Sequence, residues 1–372
     1  MSGTLPKDAN ADLFVGIMSG TSLDGIDAVL VDFGCSPPRL VTSHFAPYSR
    51  ALAGRILELH EKGADELHRA AMLGNELACL YHQAVADLLA NAGVSSGQIR
   101  AIGCHGQTIR HNPAAGYTLQ IGNPDLLAEL SGISVVAGFR GRDIAAGGQG
   151  APLVPAFHDA VFRAPGRHRV VLNIGGIANI TDLNPASDTA GFDCGPGNML
   201  LDAWIQRTSG HAYDKDGAWA SCGRVMPDLL ETLMAHPFFH APPPKSCGRE
   251  EFGLPRLGPW FSGAHKPEDV QATLLELSAR TISDAIQRWC GTPQEVAVCG
   301  GGVRNRALMR RIGDCLPASR VIATDEIGMG ADWVEAMAFA WLARQRLLEQ
   351  TGNLPAVTGA RGPRVLGAIY TR

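Results

Sequence analysis

Three glycine-rich turns, each placed directly after an apolar run, carry the densest chemistry in this chain: Gly20 to Gly25, Gly175-Gly176, and Gly300-Gly301-Gly302. Without Cβ atoms, consecutive backbone N–H groups can converge on phosphate oxygens. The first turn, Gly20-Thr21-Ser22-Leu23-Asp24-Gly25 and on into Ile26-Asp27, adds two hydroxyl donors. Its two carboxylates could hold a metal ion or a water. A single such turn is as easily a plain hairpin; three in one chain point to a nucleotide. Neither the P-loop nor the dinucleotide glycine pattern is present, so the site would be of another kind.

Asp193 lies on a short apolar run just ahead of Gly195-Pro196-Gly197-Asn198, which opens a helix at Met199. A carboxylate there suits a general base. The turn's amides and the helix N-terminus would hold anionic or polar ligands. The plain alternative is an Asp that caps the helix. Arg140 and Asp143 sit beside the small-residue stretch 145–150, where a guanidinium fork could take a carboxylate or phosphate; a solvated loop is the alternative. His105 and Gln107 follow the end of a strand, where ligands gather in α/β sheets, although a single His is as readily structural. Glu335 stands among apolar helix neighbours that solvate a carboxylate poorly, so it should face a cleft or a partner, or lie on the helix's own polar face.

The elements that must hold these residues can be read from periodicity. Strands are expected at 13–18 and 26–33, joined as a hairpin through the first glycine turn. Further strands are expected at 99–104, 117–121, 170–174, 177–183, 296–299 and 365–370. Helices are expected over 51–62, 65–92, 199–206, 267–289 and 332–349, with others starting at Asn123-Pro124 and running through Leu308. The 170–183 unit repeats the strand–turn–strand grammar of 13–33, which suggests an internal duplication. Strands alternate with helices, so the fold class is α/β. A domain junction is placed near the start of 135–155.

Composition narrows the function classes. The chain has 372 residues, 45% of them apolar, enough for two buried cores. Lys plus Arg number 32 against 36 for Asp plus Glu, a formal charge of −4 without basic clusters, which argues against nucleic acid as a partner. Nine cysteines without CxxC spacing argue against a disulfide framework or a zinc site. No apolar run approaches the ~20 residues that span a bilayer, and the first residues lack a signal-peptide core. The expectation is a protein of the cytoplasm with no membrane partner.

Taken together the motifs resemble one family. GIMSGTSLDGIDAVL at 16–30, GCHGQTIRHNP at 103–113, LQIGNPDLLAE at 119–129 and RDIAAGGQGAPLVPAFH at 142–158 match it in order. LNIGGIANIT at 172–181, GFDCGPGNMLLDAW at 191–204, YDKDGAWA at 213–220, PKSCGRE at 244–250, VCGGGVRNRALM at 298–309 and VEAMAFAWLA at 334–343 complete the set. The chain is similar to anhydro-N-acetylmuramic acid kinases, sugar kinases of the actin-like ATPase superfamily.

The resemblance implies two ribonuclease-H-like domains flanking a nucleotide cleft, drawn here as 1–137 plus 353–372, and 138–352. It implies ATP and Mg²⁺, with Gly20 to Asp27 as the first phosphate loop and Asp24 as the metal candidate. Gly175, Gly176 and Asn179 would form the second loop, joined by Gly195, Gly197 and Asn198, with Gly300, Gly301 and Gly302 by the adenosine. Asp193 would be the catalytic base and Glu335 a supporting carboxylate. Arg140 would take the sugar's lactyl carboxylate, with His105, Gln107 and Asp143 as further sugar contacts. The expected partners are that sugar and ATP, with a homodimer allowed. Departures from the family pattern are Gly138 in place of an Asp, Cys247 in place of a Thr, and Val303-Arg304. The competing readings are a sugar kinase with an ordinary hydroxyl acceptor, an actin-like ATP-binding module without catalysis, and a glycosidase.

Overall fold

Leu13–Met18 (LFVGIM) is apolar or glycine at every position and buried at every position, as suits a strand covered on both faces. This strand, β1, organises the first of two compact units, which takes the chain up to Phe157 and again from Trp333 to Arg372; His158–Asp332 forms the second. The computed structural model describes residues 11–20, 23–247, 251–252 and 265–372. Thr21 and Ser22, and residues 248–250 of the 244–250 motif, lie outside them.

In the first unit β1, β2 (Gly25–Asp32) and β3 (Arg39–Pro47) form an antiparallel meander. Helices α1 (Arg50–Glu58) and α2 (Glu66–Ala92) lead to β4 (Ile99–Cys104), which lies parallel to β1. A two-stranded hairpin follows, β5 (Gln107–Asn112) with β6 (Tyr117–Ile121), and then α3 (Pro124–Ser131), whose first turn Asn123 caps by accepting the Leu126 N–H at 3.0 Å. β7 (Val135–Ala137) runs parallel to β4, followed by α4 (Gly141–Ala145) and α5 (Val154–Phe162).

The second unit repeats the scheme. β8 (Arg169–Ile174), β9 (Ile177–Leu183) and β10 (Ala190–Pro196) form the meander. Helices α6 (Met199–Ser209), α7 (Pro227–Met234), α8 (Pro237–His240) and α9 (Pro267–Ala285) precede β11 (Glu295–Cys299), which is parallel to β8. α10 (Arg306–Cys315) then leads to β12 (Arg320–Ala323). The chain ends with α11 (Val334–Leu347), α12 (Pro355–Thr358) and β13 (Ala368–Tyr370).

The sheet orders are β13-β7-β4-β1-β2-β3 and β10-β9-β8-β11-β12. With β13 and the separate β5–β6 hairpin set aside, both read third, second, first, fourth, fifth strand of the unit. Three antiparallel strands followed by two parallel ones, twice in one chain, is the ribonuclease-H-like architecture expected. It also carries the duplication that the two glycine hairpins suggest.

Segments 138–157 and 333–352 lie with the first unit, whereas the sequence reading places them in the second domain. The reason is backbone packing. Helix α11 sits on β1 and β4 so closely that a Cβ on Gly16 would fall 2.0 Å from the Ala336 carbonyl oxygen, and one on Gly103 would fall 2.0 Å from that of Phe339. Only glycine permits this approach. Gly16→Ala should therefore lower stability by about 1–3 kcal/mol, because the neighbour is helix backbone and cannot yield cheaply; urea unfolding of the two proteins measures it.

The last strand is shorter than expected. Gly367 has φ +84°, which breaks the extended run, and pairing with β7 starts only at Ala368. All nine cysteines are free thiols.

Candidate functional site

All three glycine-rich segments of the second unit are at one end of its sheet, because β8 and β11 are parallel neighbours that pair Asn173 with Cys299 just before their turns. Gly300 follows β11 with φ +81°, and a Cβ there would lie 2.3 Å from Asn173 Oδ1. This end holds the carboxyl termini of the parallel strands, where open α/β sheets bind ligands. The Gly175-Gly176 turn joins β8 to β9. Its carbonyls are met by the chain beyond β10: Asn198 N–H donates to Gly175 O (2.9 Å), and the Gly197 and Met199 N–H groups donate to Gly176 O (2.9 and 3.1 Å). Those amides are therefore spent inside the fold. The expectation that they would hold an anion needs correction; the Asn198 side chain and the turn surface are what this helix entry can offer.

Asp193 lies in β10 directly across the ladder from Asn179, and the register shifts between Asp193 and Gly195. Such a bulge re-aims a side chain. Asp193 does not cap α6, since Asn198 holds that position. Its backbone N–H donates to the Lys245 carbonyl (3.0 Å), and its Oδ2 accepts the Cys247 N–H (2.9 Å). Burial pushes the carboxyl up to about 6, partly offset by the Cys247 N–H and the Lys245 charge. Lys245 itself is turned away, with Nζ donating to the Phe238 carbonyl (2.8 Å). The contact at 247 is made by the main chain, so Cys in place of Thr leaves this hydrogen bond intact.

In the first unit Gly20 follows β1, and Asp24 is exposed at the entry to β2. Leu23, between them, is buried with φ +60°. A left-handed conformation costs an ordinary L-residue roughly 1–2 kcal/mol, so the Leu23 backbone is held there by its surroundings. Ile26 and Asp27 belong to β2, where Ile26 pairs with Ala46 and sits in the core; Ile26 supports the loop rather than lining it.

Gln107 is wholly buried, and its Nε2 donates to the Gly20 carbonyl at 3.2 Å. It thereby braces the first glycine turn, a task besides the sugar contact expected. Ser19 does the same, with its Oγ 3.1 Å from Tyr81 Oη and donating to Gly106 O at 3.1 Å. Sequence reasoning passed over both Ser19 and Tyr81; Tyr81 shows only as one more large residue on the buried face of α2.

His105 and Arg140 form a pair. Arg140 Nη2 and Nε point to His105 Nε2 at 2.8 and 3.2 Å, and Nη1 donates to the Gly150 carbonyl at 2.8 Å. Burial first, then the Arg140 charge, holds His105 well below the usual imidazole range. The neutral ring thus accepts at Nε2 and carries its proton on Nδ1. Burial lowers Arg140 to about 10 while Glu335 and Asp143 pull it up, so it stays charged at neutral pH.

Glu335 is half-buried in the first turn of α11, where the helix dipole favours a carboxylate. Asp143 is fully enclosed, and its oxygens are taken by Gly150, Asn353 and Thr358. It is not placed as a sugar contact. Among the described residues no group of three acidic, His or Cys side chains converges as a metal centre, and no helix is long and apolar enough to cross a membrane.

A family profile described as anhydro-N-acetylmuramic acid kinase matches residues 12–372. Curated proteins named anhydro-N-acetylmuramic acid kinase match over nearly the whole chain. That of Thiobacillus denitrificans is 56% identical over 364 residues, covering 97% of each chain. Those of Nitrosospira multiformis and Pseudomonas putida are each 54% identical, covering 97% and 96% of this chain and 99% of their own.

Proposed function

The chain belongs to the anhydro-N-acetylmuramic acid kinase family, and from that premise we propose the reaction and the roles of its residues. It is an ATP-dependent sugar kinase. Water opens the 1,6-anhydro ring of anhydro-N-acetylmuramic acid, and the freed 6-oxygen takes the γ-phosphoryl of ATP. The product is N-acetylmuramic acid 6-phosphate, formed in peptidoglycan recycling. The nine free thiols suit a reducing compartment, which supports work in the cytoplasm.

The observation that carries this reading is Asp193. A kinase acting on an ordinary hydroxyl needs little more than positioning and charge neutralisation. Opening an anhydro ring also needs a base for water, with a pKa near the working pH. Asp193 supplies a desolvated carboxyl raised to about 6, at the same end of the sheet as the glycine turns. It takes a proton from water as the water oxygen bonds to C1. The C1–O6 bond breaks in that same step, so C1 keeps four bonds, and the released O6 attacks the γ-phosphorus as ADP leaves. Arg140 holds the lactyl carboxylate, and Glu335 supports the sugar from the start of α11.

Mg²⁺ commonly keeps several waters and takes one or two carboxylates besides substrate phosphates. The exposed Asp24 beside the first glycine turn fits that sparse requirement. A bound Mg²⁺ there would neutralise phosphate charge.

The test is mass spectrometry after incubation with Mg-ATP and the anhydro sugar in ¹⁸O-water. The expected product is heavier than the sugar by one phosphoryl group and one labelled water. Unchanged anhydro sugar, with phosphorylation of an analogue that lacks the bridge, would instead support the ordinary-hydroxyl reading.

A further inference from the structure

Asp143 is a buried carboxylate surrounded entirely by donors. Its Oδ2 accepts the Gly150 N–H at 2.7 Å; its Oδ1 accepts Asn353 Nδ2 at 2.6 Å and Thr358 Oγ1 at 2.7 Å. The residue so gripped, Gly150, is the one whose carbonyl anchors Arg140. The same stretch is tied again to the C-terminal segment, with Gln149 N–H on the Thr358 carbonyl (2.7 Å) and Arg361 N–H on that of Ala146 (2.9 Å). A Cβ on Gly148 would lie 2.2 Å from Asp143 Oδ2, so the loop is closed tightly over the carboxylate.

Arginine has five N–H donors in a fixed plane. Here the Nε–Nη2 edge is turned to His105, and one Nη1 hydrogen goes to Gly150. These contacts leave one hydrogen on each of Nη1 and Nη2, the two nitrogens that can together meet the two oxygens of a carboxylate. The aim of that fork depends on two anchors. His105 is fixed by its own N–H on the Ile17 carbonyl (3.0 Å) and by its ring against Phe339. Gly150 belongs to a small-residue loop with no side chain of its own to hold it.

We infer that Asp143, closed in by Asn353 and Thr358, is a positioning residue that aims the Arg140 fork at the sugar carboxylate through the backbone of Gly150. An aspartate is needed rather than an asparagine because each carboxylate oxygen accepts an N–H, from Gly150 or from Asn353, so an amide NH₂ in either orientation would face another N–H. The inference rests on the proposed role of Arg140, and it assigns the C-terminal segment a part in substrate selectivity.

The test compares Asp143→Asn with the wild-type enzyme on two sugars: anhydro-N-acetylmuramic acid, and 1,6-anhydro-N-acetylglucosamine, which lacks the lactyl acid. The variant should lose about tenfold in kcat/KM on the acid sugar, carried by KM, while the neutral sugar and the KM for ATP change less than about twofold. Equal losses on both sugars, a shift in the KM for ATP, or no loss would overturn the inference. If Asp143→Asn fails to fold, Thr358→Val makes the same comparison, with a selective loss of about threefold expected from removing one donor. The ¹⁵N resonance of His105 Nε2 should also move in either variant. Should the wild-type enzyme turn over neither sugar, the functional reading fails by itself, and that resonance alone decides: a shift supports the aiming role, and an unmoved signal overturns it.

Discussion

Asp193→Asn should bind ATP as the wild type does and lose about 10²- to 10⁴-fold in turnover, the usual worth of a positioned general base. The substitution is nearly isosteric, and the amide oxygen can still accept the Cys247 N–H at Oδ2's place. What disappears is the ability to take a proton from water. Wild-type-like turnover in this variant would remove Asp193 as the base. Weakened ATP binding would show instead that the carboxylate shapes the neighbouring glycine turns.

The same residue sets a pH dependence with a definite sign. The base must be ionised, and its carboxyl is raised to about 6 by burial. The wild-type kcat/KM should therefore fall below about pH 6, by about tenfold per pH unit. Stability runs the other way. A carboxyl raised from 3.8 to about 6 is held ionised at pH 7 at a cost to the folded state on the order of 3 kcal/mol. That cost is relieved as the pH falls from 6 towards 3.8, since the folded chain takes up the proton first. Asp193→Asn should thus be more stable than the wild type at pH 7 and nearly equal to it at pH 4. Urea titrations at the two pH values check this. A less stable variant at pH 7 would mean that the ionised carboxyl is stabilised in the fold.

The parts of this arrangement legible in the amino-acid sequence are those written locally. The β1–β2 and β8–β9 hairpins show as apolar runs around glycine turns, and Asp193 shows as a carboxylate beside a turn that opens a helix. Long-range partners are not written that way. Asp143 looks like one more polar group beside Arg140, and its task emerges only when Asn353 and Thr358, 210 and 215 residues further on, close over it. The placement of α11 is hidden for the same reason. Its seat is two glycines, Gly16 and Gly103, whose need for glycine comes from a helix more than 200 residues downstream. The spent amides of Gly197, Asn198 and Met199 were also unreadable, because a Gly-Pro-Gly turn looks the same whether its N–H groups face a ligand or a neighbouring turn.

Arg140→Met should raise the KM for anhydro-N-acetylmuramic acid by about 30-fold or more, since truncating one side of a desolvated, hydrogen-bonded charge pair costs about 2–5 kcal/mol. Methionine fills much of the same volume, so the loss isolates the guanidinium. Arg140→Lys keeps the charge but cannot reach His105, Gly150 and a carboxylate together from one nitrogen, so it should recover only part of the loss. The effect must vanish on the neutral sugar; a matching loss there would mean that Arg140 serves only to hold the loop. His105 offers an independent reading. Arg140 is the second cause, after burial, of its lowered pKa. In Arg140→Met the imidazole pKa should therefore rise part of the way towards 6.5 and stop short of it, because burial persists. Its ring nitrogens, followed by NMR across acidic pH, report that rise. An unmoved titration would separate the two side chains electrostatically and undo the claim that Arg140 keeps His105 neutral and accepting.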